Sequence, residues 1–410
     1  MTDVYVIGGQ QTDFAVHWSR RGKTLFELMQ ANVQGAMEAA RIAAEDIEVA
    51  HIGNFTGELF CGQGHLGGLF ASIDPAFAGL PAARHEAACA SGSMAVLAAC
   101  AGIQAGYYDL ACVVGIEQMR NVPGQTAADY LGAAAWVGRE GQGARYLWPH
   151  MFATIADEYE RRHGLQYQHL AAIARNNFDN ARHNENAQTR RWTFTDASFT
   201  ADDQANPVVE GRLRRHDCGQ ITDGAATVFL ASERFARRHA ERLGRTGADW
   251  PRLLGFGHRT GPMALADKLA ASSDQPLMFP HVRGAVEDAW RRAGIDGVHA
   301  VDAIELHDCF TITEYVLLEH LGLAEPGQAW RAIEAGDITM SGRTPVNPSG
   351  GLIGLGHPVG ATGVRMVLDA FKQVTGTAGG TQVDGARRVQ TLNVGGSFTT
   401  IASFVVGYPD

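Results

Sequence analysis

The most informative segment of this chain is Gly350-Gly351-Leu352-Ile353-Gly354-Leu355-Gly356-His357-Pro358-Val359-Gly360-Ala361-Thr362-Gly363. Glycines let a backbone approach a ligand closely and adopt unusual φ values. His357 is the only side chain of the segment that can accept and donate a proton near neutral pH. The small residues that follow predict a helix over Ala361–Ala370 with His357 at its start. Together with Cys89 and His307, this segment favours acyl chemistry on a cysteine.

The composition is that of a folded enzyme. The chain has 410 residues, of which 45% are hydrophobic and 19% charged, so two or three domains are expected and disorder is not. The net charge of -10 disfavours nucleic acid as a partner, because phosphate binding needs a basic surface. The pairs Arg190-Arg191 and Arg214-Arg215 are more typical of solvated faces than of anion sites.

Cysteine usage and hydropathy indicate a reducing, aqueous environment. The six cysteines are scattered and form no CxxC pair, so we expect neither a metal site nor a redox motif. A cytoplasmic location is the simplest interpretation. No apolar run is long enough to cross a bilayer, so no membrane insertion is expected.

Strand and helix patterns alternate in the first part of the chain. A strand at Val4–Ile7 precedes a helix opened by Thr24 and Glu27, which form a capping-box pattern. Apolar runs such as 110–114 fit strands covered on both faces, as in a layered α/β protein. Residues 120–222 break the alternation and are interpreted as an insertion over the core.

The second half repeats the scheme. A helix over Arg283–Ala293 leads to a strand at Ala303–Leu306, and the helix after His357 corresponds in order to one that begins near Cys89. A pseudo-twofold duplication would bring those two small-residue helices together, so that their amino-terminal ends converge. The predicted division is a first half of residues 1–119 plus 223–250, an inserted domain of 120–222, and a second half of 251–410.

Cys89 is the candidate nucleophile. It lies in Glu86-Ala87-Ala88-Cys89-Ala90-Ser91-Gly92-Ser93 at a predicted helix start, where free N–H groups and the helix dipole favour a thiolate. A buried structural cysteine is the alternative for this residue taken alone.

His307-Asp308-Cys309-Phe310 follows a predicted strand directly. Ligands gather at the carboxyl ends of strands in layered α/β proteins, so His307 and Cys309 could both face a site. The alternative for His307 is a half-buried histidine with a backbone partner, and for His357 it is a helix cap. Metal binding is not expected, because no third or fourth ligand stands at useful spacing.

A second glycine turn, in Asn393-Val394-Gly395-Gly396-Ser397, ends a predicted strand. The N–H groups of Gly395 and Gly396 would suit an oxyanion, and an ordinary β-turn is the alternative. Each signal is modest by itself, but their joint order along the chain indicates a catalytic site.

The chain resembles the thiolase superfamily over nearly its whole length. The nucleophile motif of that family is similar to Ala88-Cys89-Ala90-Ser91-Gly92. Its histidine motif is similar to Gly356-His357-Pro358, which follows Asn347-Pro348-Ser349-Gly350-Gly351. The family pattern also fits Asp223-Gly224-Ala225-Ala226. His307-Asp308-Cys309-Phe310 resembles the branch related to the thiolase part of sterol carrier proteins. Asn393 stands where ordinary thiolases have their second catalytic cysteine, and the resemblance implies that Cys309 takes over that acid/base role.

The resemblance implies a duplicated αβαβα fold, a loop domain over the coenzyme A site, and a homodimer or dimer of dimers. It implies an acyltransferase of lipid metabolism that forms an acyl-Cys89 intermediate and catalyses thiolysis of 3-ketoacyl-coenzyme A or the reverse Claisen condensation. His357 would accept the Cys89 proton, His307 and His357 would polarise the second carbonyl, and Cys309 would move the α-carbon proton. The coenzyme A thioester is substrate, and no permanently bound cofactor is expected.

Five further residues are candidates for substrate binding. Arg212 or Arg214 could contact the nucleotide of coenzyme A. Trp148 and Met151 could line an acyl pocket, with core packing as an equal alternative. Ser349, within the histidine motif, completes the set.

Three other functions remain open. A decarboxylating ketoacyl synthase has a Cys-His-His set on the same fold, although Gly356-His357-Pro358 and the His-Asp-Cys-Phe segment disfavour it. Some relatives of this branch are retro-aldolases that work with a small OB-fold or zinc-ribbon partner. A non-catalytic acyl-binding subunit is the third, and the full set of reactive groups argues against it.

Overall fold

A computed structural model describes residues 3–244 and 249–409. Residues 1–2 and 245–248 of the predicted first half, and residue 410 of the second, lie outside the described residues. The first part of the chain alternates strands and helices as expected, with the following bounds: β1 (Tyr5–Gln11), α1 (Leu25–Ala40), β2 (Val49–Gly53), α2 (Gly57–Cys61), α3 (Leu66–Ala71), β3 (Ala82–His85), α4 (Ser91–Gln104) and β4 (Leu110–Glu117).

Helix α1 begins where the capping-box pattern predicts. The Thr24 hydroxyl accepts the Glu27 N–H at 3.3 Å, and the Glu27 carboxylate accepts the Thr24 N–H at 2.9 Å. These bonds satisfy two N–H groups that have no partner inside the helix.

The expected insertion contributes no strand to the main sheet over residues 118–223. Its elements are α5 (Gly124–Leu131), α6 (Leu147–His163), α7 (Tyr167–Ala181) and a separate hairpin of β5 (Val208–Glu210) and β6 (Leu213–Arg214). Strand β7 (Gly224–Ala231) then returns to the main sheet, with every residue buried, and α8 (Glu233–Arg242) follows.

The second half provides the remaining elements. They are β8 (Arg252–Thr260), α9 (Leu265–Ala271), α10 (Pro280–Ala293), β9 (Ala303–Leu306), α11 (Thr311–His320), α12 (Ala329–Glu334), α13 (Gly351–Gly354), α14 (Val359–Val374), β10 (Arg388–Gly395) and β11 (Thr400–Gly407). Helix α14 contains the predicted Ala361–Ala370 and extends it at both ends.

The strands of the two halves meet in one sheet. Its order in the described residues is β3-β2-β4-β7-β1-β8-β11-β10-β9. The register between β1 and β8 holds a single residue pair, Tyr5 and Arg252. The sheet therefore consists of two half-sheets, one from each half of the chain.

Three apolar clusters divide the molecule into layers. One packs α1 and α3 on the first half-sheet, and another packs α10 and α11 on the second. The third contains apolar residues of α4 and α14 together with β4, β7, β10 and β11, so these two helices lie between the half-sheets. The result is the expected αβαβα arrangement.

The two central helices approach each other through glycine. A Cβ atom on Gly92 of α4 would lie 2.7 Å from the carbonyl oxygen of Gly360 in α14. A side chain there would force the helices apart. Because both helices start at this contact, Cys89 and His357 come to the same place, as the predicted pseudo-twofold requires.

Strands β3 and β8 were not anticipated from the sequence. Strand β3 is short and half-exposed, with no apolar alternation. Strand β8 contains two glycines, and because glycine is uncommon in strands, its sequence does not predict one. A Cβ on Gly255 would lie 2.6 Å from the backbone nitrogen of Ala293, so glycine is needed for α10 to pack on this strand.

Candidate active site

Cys89 stands at the turn into α4. The preceding residue, Ala88, has a positive φ of 51°, a conformation that side-chain-bearing residues seldom adopt. This turn directs the Cys89 sulfur toward the β10–β11 turn, where it accepts the Gly396 N–H. The nucleophile candidate is thus held next to the predicted oxyanion turn.

The structure brings both candidate histidines to Cys89. The ligand atoms of Cys89, His307 and His357 all lie within 4.8 Å of one another. The two imidazole rings are nearly perpendicular, with centroids 5.1 Å apart. His307 comes from the end of β9 and His357 from the start of α14, as expected.

The tautomer of His357 follows from Thr362. The Thr362 hydroxyl lies 3.2 Å from the Pro358 carbonyl, to which it can donate, and 2.7 Å from His357 Nδ1. A hydroxyl that donates to the carbonyl accepts at the ring, and on this basis we assign the proton of His357 to Nδ1. His357 Nε2 is buried and has no hydrogen-bond partner among the residues that the structure describes. Its lone pair is free to accept a proton from Cys89.

The tautomer of His307 is the opposite one. The Ser93 hydroxyl donates to Asn393 Oδ1 at 2.8 Å, and the Asn393 amide Nδ2 lies 3.0 Å from His307 Nδ1. Since an amide nitrogen only donates, His307 Nδ1 accepts and Nε2 carries the proton. The two rings are therefore prepared for different tasks, one as base and one as donor.

Cys309 lies in the same pocket as Cys89. Its sulfur is 3.6 Å from the Thr313 hydroxyl in the first turn of α11. Burial, and then the nearby Cys89, raise the pKa of the Cys309 thiol well above its ordinary value. Cys309 is therefore a thiol at neutral pH, able to give up a proton that is later returned.

Burial sets the resting charges of the pair. It raises the pKa of Cys89 to about 12, although hydrogen bonds from the Gly396 and Cys89 N–H groups act in the opposite direction. Burial, and then repulsion from Arg365, lower the pKa of His357 to about 3. Burial therefore opposes the N–H groups and the helix dipole that favour a thiolate. Desolvation outweighs the helix dipole, and the site rests as a neutral thiol beside a neutral imidazole.

A cavity of about 680 Å³ opens onto these groups. It is lined by Cys89, Cys309, His357 and Gly396, and its wall includes aromatic side chains from the insertion, among them Tyr146, Trp148 and Phe152. Pockets of this size and apolar character are typical of small-molecule sites.

Comparison with known proteins identifies the family. Residues 4–234 match the family described as "Thiolase, N-terminal domain", and residues 264–408 match "Thiolase C-terminal domain-like". The chain belongs to the thiolase family. It is 31% identical over 403 residues to the acetyl-CoA acetyltransferase of Methanothermobacter thermautotrophicus, covering 98% of each chain. The predicted resemblance and acyltransferase class are confirmed.

Two further similarities support the expected branch and the fold. The chain is 28% identical to sterol carrier protein 2 of Gallus gallus, covering 99% of this chain and 72% of that protein. The solved "Ltp2-ChsH2(DUF35) aldolase" superposes with a TM-score of 0.76 at 19% identity, covering 100% of this chain and 98% of the other. At that identity the structural likeness is one of fold.

The predicted substrate-binding residues of this thiolase lie in different places. Trp148 lines the pocket, but Met151 is buried in the core of the second half and is not among the lining residues. Arg212 and Arg214 line a separate cavity of about 240 Å³. Ser349 is buried behind the site, where its hydroxyl donates to Glu305 at 2.6 Å.

Carboxylates already engage both arginines. Arg212 pairs with Asp157 at 2.6 Å and with Glu160 at 3.3 Å. Arg214 pairs with Asp203 at 2.7 Å. Neither guanidinium is free to meet a phosphate in the main pocket. Arg215, which the sequence indicated only as part of a solvated pair, is exposed and lines that pocket.

The residues that orient the histidines were missed by sequence reasoning. Thr362 stands five residues after His357, Ser93 lies in the nucleophile motif, and Asn393 was noted only as a departure from ordinary thiolases. A threonine in a small-residue helix or a serine after a cysteine is too common to carry a signal. Only the packing of α14, α4 and β10 shows what they touch.

Cys89, His307 and His357 also have the spacing of a set of metal ligands. Metal-binding histidines usually donate their other ring N–H to an acceptor. His307 does the reverse, because its Nδ1 accepts from Asn393. The set fits proton transfer better than metal binding.

Among the described residues, no helix is both long and apolar enough to cross a membrane.

Proposed function

We propose that this thiolase transfers acyl groups through a thioester on Cys89, with coenzyme A thioesters as substrates and no resident cofactor. One observation carries the proposal. One ligand atom from each of Cys89, His307 and His357 lies within 4.8 Å of the others, and Nδ1 of each ring contacts Thr362 or Asn393, which leaves the two Nε2 atoms to act on the sulfur, one as base and one as donor. A base and a hydrogen-bond donor on one sulfur are the parts that acyl transfer needs.

The first step is acylation. As the Cys89 sulfur attacks the carbonyl carbon, His357 Nε2 takes the thiol proton, so no free thiolate accumulates. The negative charge on the carbonyl oxygen is held by the N–H groups of Cys89 and Gly396. In thiolysis of a 3-ketoacyl thioester, the attacked carbon is C3, and the bond between C2 and C3 breaks.

The second step concerns the enolate of the two-carbon product. Its oxygen is held by His307 Nε2–H and by the protonated His357, and Cys309 gives a proton to the α-carbon. The thiol of a second coenzyme A then gives its proton to the Cys309 thiolate and attacks the acyl carbon, and the Cys89 sulfur leaves and takes its proton back from His357. Condensation uses the same residues in reverse. The relative concentrations of the thioesters set the direction.

The pocket suggests how substrate is bound. Its apolar aromatic wall suits an acyl chain and the pantetheine arm, and Arg215 is the guanidinium positioned to meet a phosphate at its mouth. Among the described residues Arg215 has no salt bridge, unlike Arg212 and Arg214. We therefore assign to Arg215 the role expected of its two neighbours.

A homodimer is part of the proposal. Strand β3 ends the main sheet and leaves one side unpaired and half-exposed. At the opposite end, residues 345–347 cover β9 through hydrogen bonds to Ile304. Edge strands without such cover pair readily with another chain, so two copies would join through β3, and two dimers could form a dimer of dimers. Light scattering of the purified chain tests this.

A location and a partner are also part of the proposal. All six cysteines are free, which suits a reducing cytoplasm, and acyl-thioester chemistry suits lipid metabolism. The aldolase with a DUF35 subunit shares the fold, so an OB-fold partner for this chain is a secondary proposal. Full turnover of acetoacetyl-coenzyme A by the purified chain alone would exclude a required partner.

The acyl-enzyme is tested with three cysteine variants. Cys89→Ala should give no acetyl adduct with acetyl-coenzyme A by intact mass. Cys309→Ala should still acylate and lose at least about a hundredfold in thiolysis and condensation. Cys218→Ala is the matched control, because Cys218 lines the same pocket without a proposed role.

Two outcomes would contradict the assignment. An acetyl adduct retained by Cys89→Ala would remove the nucleophile, and equal loss of both steps in Cys309→Ala would remove its proton-transfer role. Consumption of malonyl thioester with release of carbon dioxide would favour the ketoacyl synthase instead.

A further inference from the structure

Lys268 is a buried cation, and no carboxylate of the described part of the chain contacts it. Its side chain in α9 is 3% exposed. Four oxygens lie within hydrogen-bond distance of its ammonium group and share its three N–H donors: the carbonyls of Pro262 and Met263 at 2.9 and 3.0 Å, and the hydroxyls of Thr399 and Ser397 at 2.8 and 3.2 Å. Burying a charge among neutral oxygens is costly, so this arrangement calls for a reason.

The two hydroxyls belong to the turn that faces Cys89. This turn, residues 395–399, joins β10 to β11 and carries the Gly396 N–H that contacts Cys89. Gly396 and Phe398 both have positive φ, of 64° and 60°. Glycine adopts such values freely, but an aromatic residue does so only under strain. The turn needs outside contacts to keep its shape.

Two contacts hold Phe398 in place, and a third holds the next residue. Its ring stacks on Phe279 at 4.1 Å with an angle of 8°. His281 Nε2 lies 2.7 Å from the Phe398 carbonyl oxygen, and the Gly261 N–H donates to the Thr399 carbonyl at 2.7 Å. Lys268 adds the hydroxyls on both sides of Phe398 to this set. It is the contact that ties the turn to α9.

The choice of lysine fits the shape of this site. Of the 34 lysines and arginines in the chain, only Lys23, Lys268 and Lys372 are lysines. An ammonium group is compact and points its donors in three directions, whereas a guanidinium is a flat fork. The four oxygens around Lys268 suit the compact group.

We propose that Lys268 is a positioning residue for acyl transfer: its ammonium group holds the 395–399 turn in the strained shape that aims the Gly396 N–H at the oxygen of the reacting thioester. The inference rests on the acyl-Cys89 mechanism proposed above. Lys268 touches neither substrate nor sulfur. It acts through Ser397 and Thr399.

The test compares acylation by acetyl-coenzyme A in single-turnover experiments. Lys268→Met should slow acylation about ten- to a hundredfold, because a misplaced oxyanion donor weakens transition-state stabilisation. The dissociation constant for acetyl-coenzyme A should change less than threefold. Lys23→Met, at an exposed ion pair with Glu27, is the control and should match wild type.

The infrared band of the acyl-enzyme provides a readout that a general structural role would not move. With a ¹³C-labelled acetyl group on Cys89, the thioester carbonyl band should shift to higher frequency in Lys268→Met, because the hydrogen bond from Gly396 is weaker. Ammonium or methylamine should partly restore the rate of Lys268→Ala by refilling the site.

The outcomes separate the two proposals. If wild type gives no Cys89 adduct, the proposed function is wrong and the inference falls with it. If wild type acylates and Lys268→Met acylates within twofold of it with the same carbonyl band, only the role of Lys268 is wrong. Should Lys268→Met not fold, Ser397→Ala combined with Thr399→Val removes the same contacts from the turn. A wild-type rate in that variant would also overturn the inference.

Discussion

Thr362→Val tests the tautomer that makes His357 a base. Valine keeps the shape of threonine and removes the hydroxyl that accepts His357 Nδ1–H at 2.7 Å. A buried donor left without a partner costs about 1–3 kcal/mol. The imidazole can avoid that cost by moving its proton to Nε2, but the nitrogen beside Cys89 then becomes a donor.

Either route raises the barrier to acylation. A cost of about 1–3 kcal/mol corresponds to acylation about 5- to 150-fold slower than wild type. Binding of acetyl-coenzyme A should be unchanged, because Thr362 is fully buried behind the ring. Rapid-quench mass spectrometry of the Cys89 adduct measures the rate directly.

Two variants control for side effects in the helix. Thr362→Ser keeps the hydroxyl and should acylate within a few-fold of wild type. Thr375→Val removes a threonine hydroxyl at the other end of α14, where it bonds the Phe371 carbonyl at 2.8 Å, and should have no effect on rate. The reasoning is refuted if Thr362→Val acylates as fast as wild type, or if Thr362→Ser is as slow as Thr362→Val.

Three other perturbations are predicted. Arg215→Ala should raise KM for acyl-coenzyme A several-fold with little change in kcat, whereas Arg212→Ala and Arg214→Ala should not; equal KM effects in steady-state assays would contradict this. Arg365→Met should lower the free energy of unfolding, measured in urea, by about 3–5 kcal/mol. The reason is that Glu305, which lies 2.7 Å from the guanidinium, is left as a buried acid without its partner. The double variant Arg365→Met with Glu305→Gln should recover much of the lost stability. Burial, and then Asp308, raise the pKa of Glu314 above its ordinary 4.5, so the folded state holds this proton more tightly than the unfolded chain. The contribution of Glu314 to stability therefore falls as pH rises from about 4.5 toward neutral. The Tm of Glu314→Gln relative to that of wild type should accordingly increase from pH 5 to pH 7. A Tm difference that does not change with pH would count against a raised pKa for Glu314.

The α/β alternation could be predicted because its signals are local. The capping box at Thr24 and Glu27, and the fully apolar run in β4, depend on residues near each other in sequence. Strand β8 could not be found in this way. Its Gly255 and Gly257 are required because α10 packs closely on the strand, and that contact is not visible in the local sequence. The division at residues 119/120, 222/223 and 250/251 stays a prediction.

The reactive residues could be named from the sequence, but not their states. Cys89, His307, Cys309 and His357 converge as expected. Helix-dipole reasoning names what favours the thiolate of Cys89, but it does not include the burial that raises the pKa of this thiol, because burial is set by the packing of the fold.

The sequence alone determined the alternation of strands and helices, the duplicated order of the two halves and the chemical types of the reactive groups, since each is encoded by short-range patterns and by the identity of single residues. Tertiary structure decided which nitrogen of each imidazole carries the proton, which arginine reaches the pocket, and how Lys268 supports a turn some 130 residues away. These properties depend on partners from distant segments and on exclusion of water, and neither is defined until the helices and half-sheets have packed.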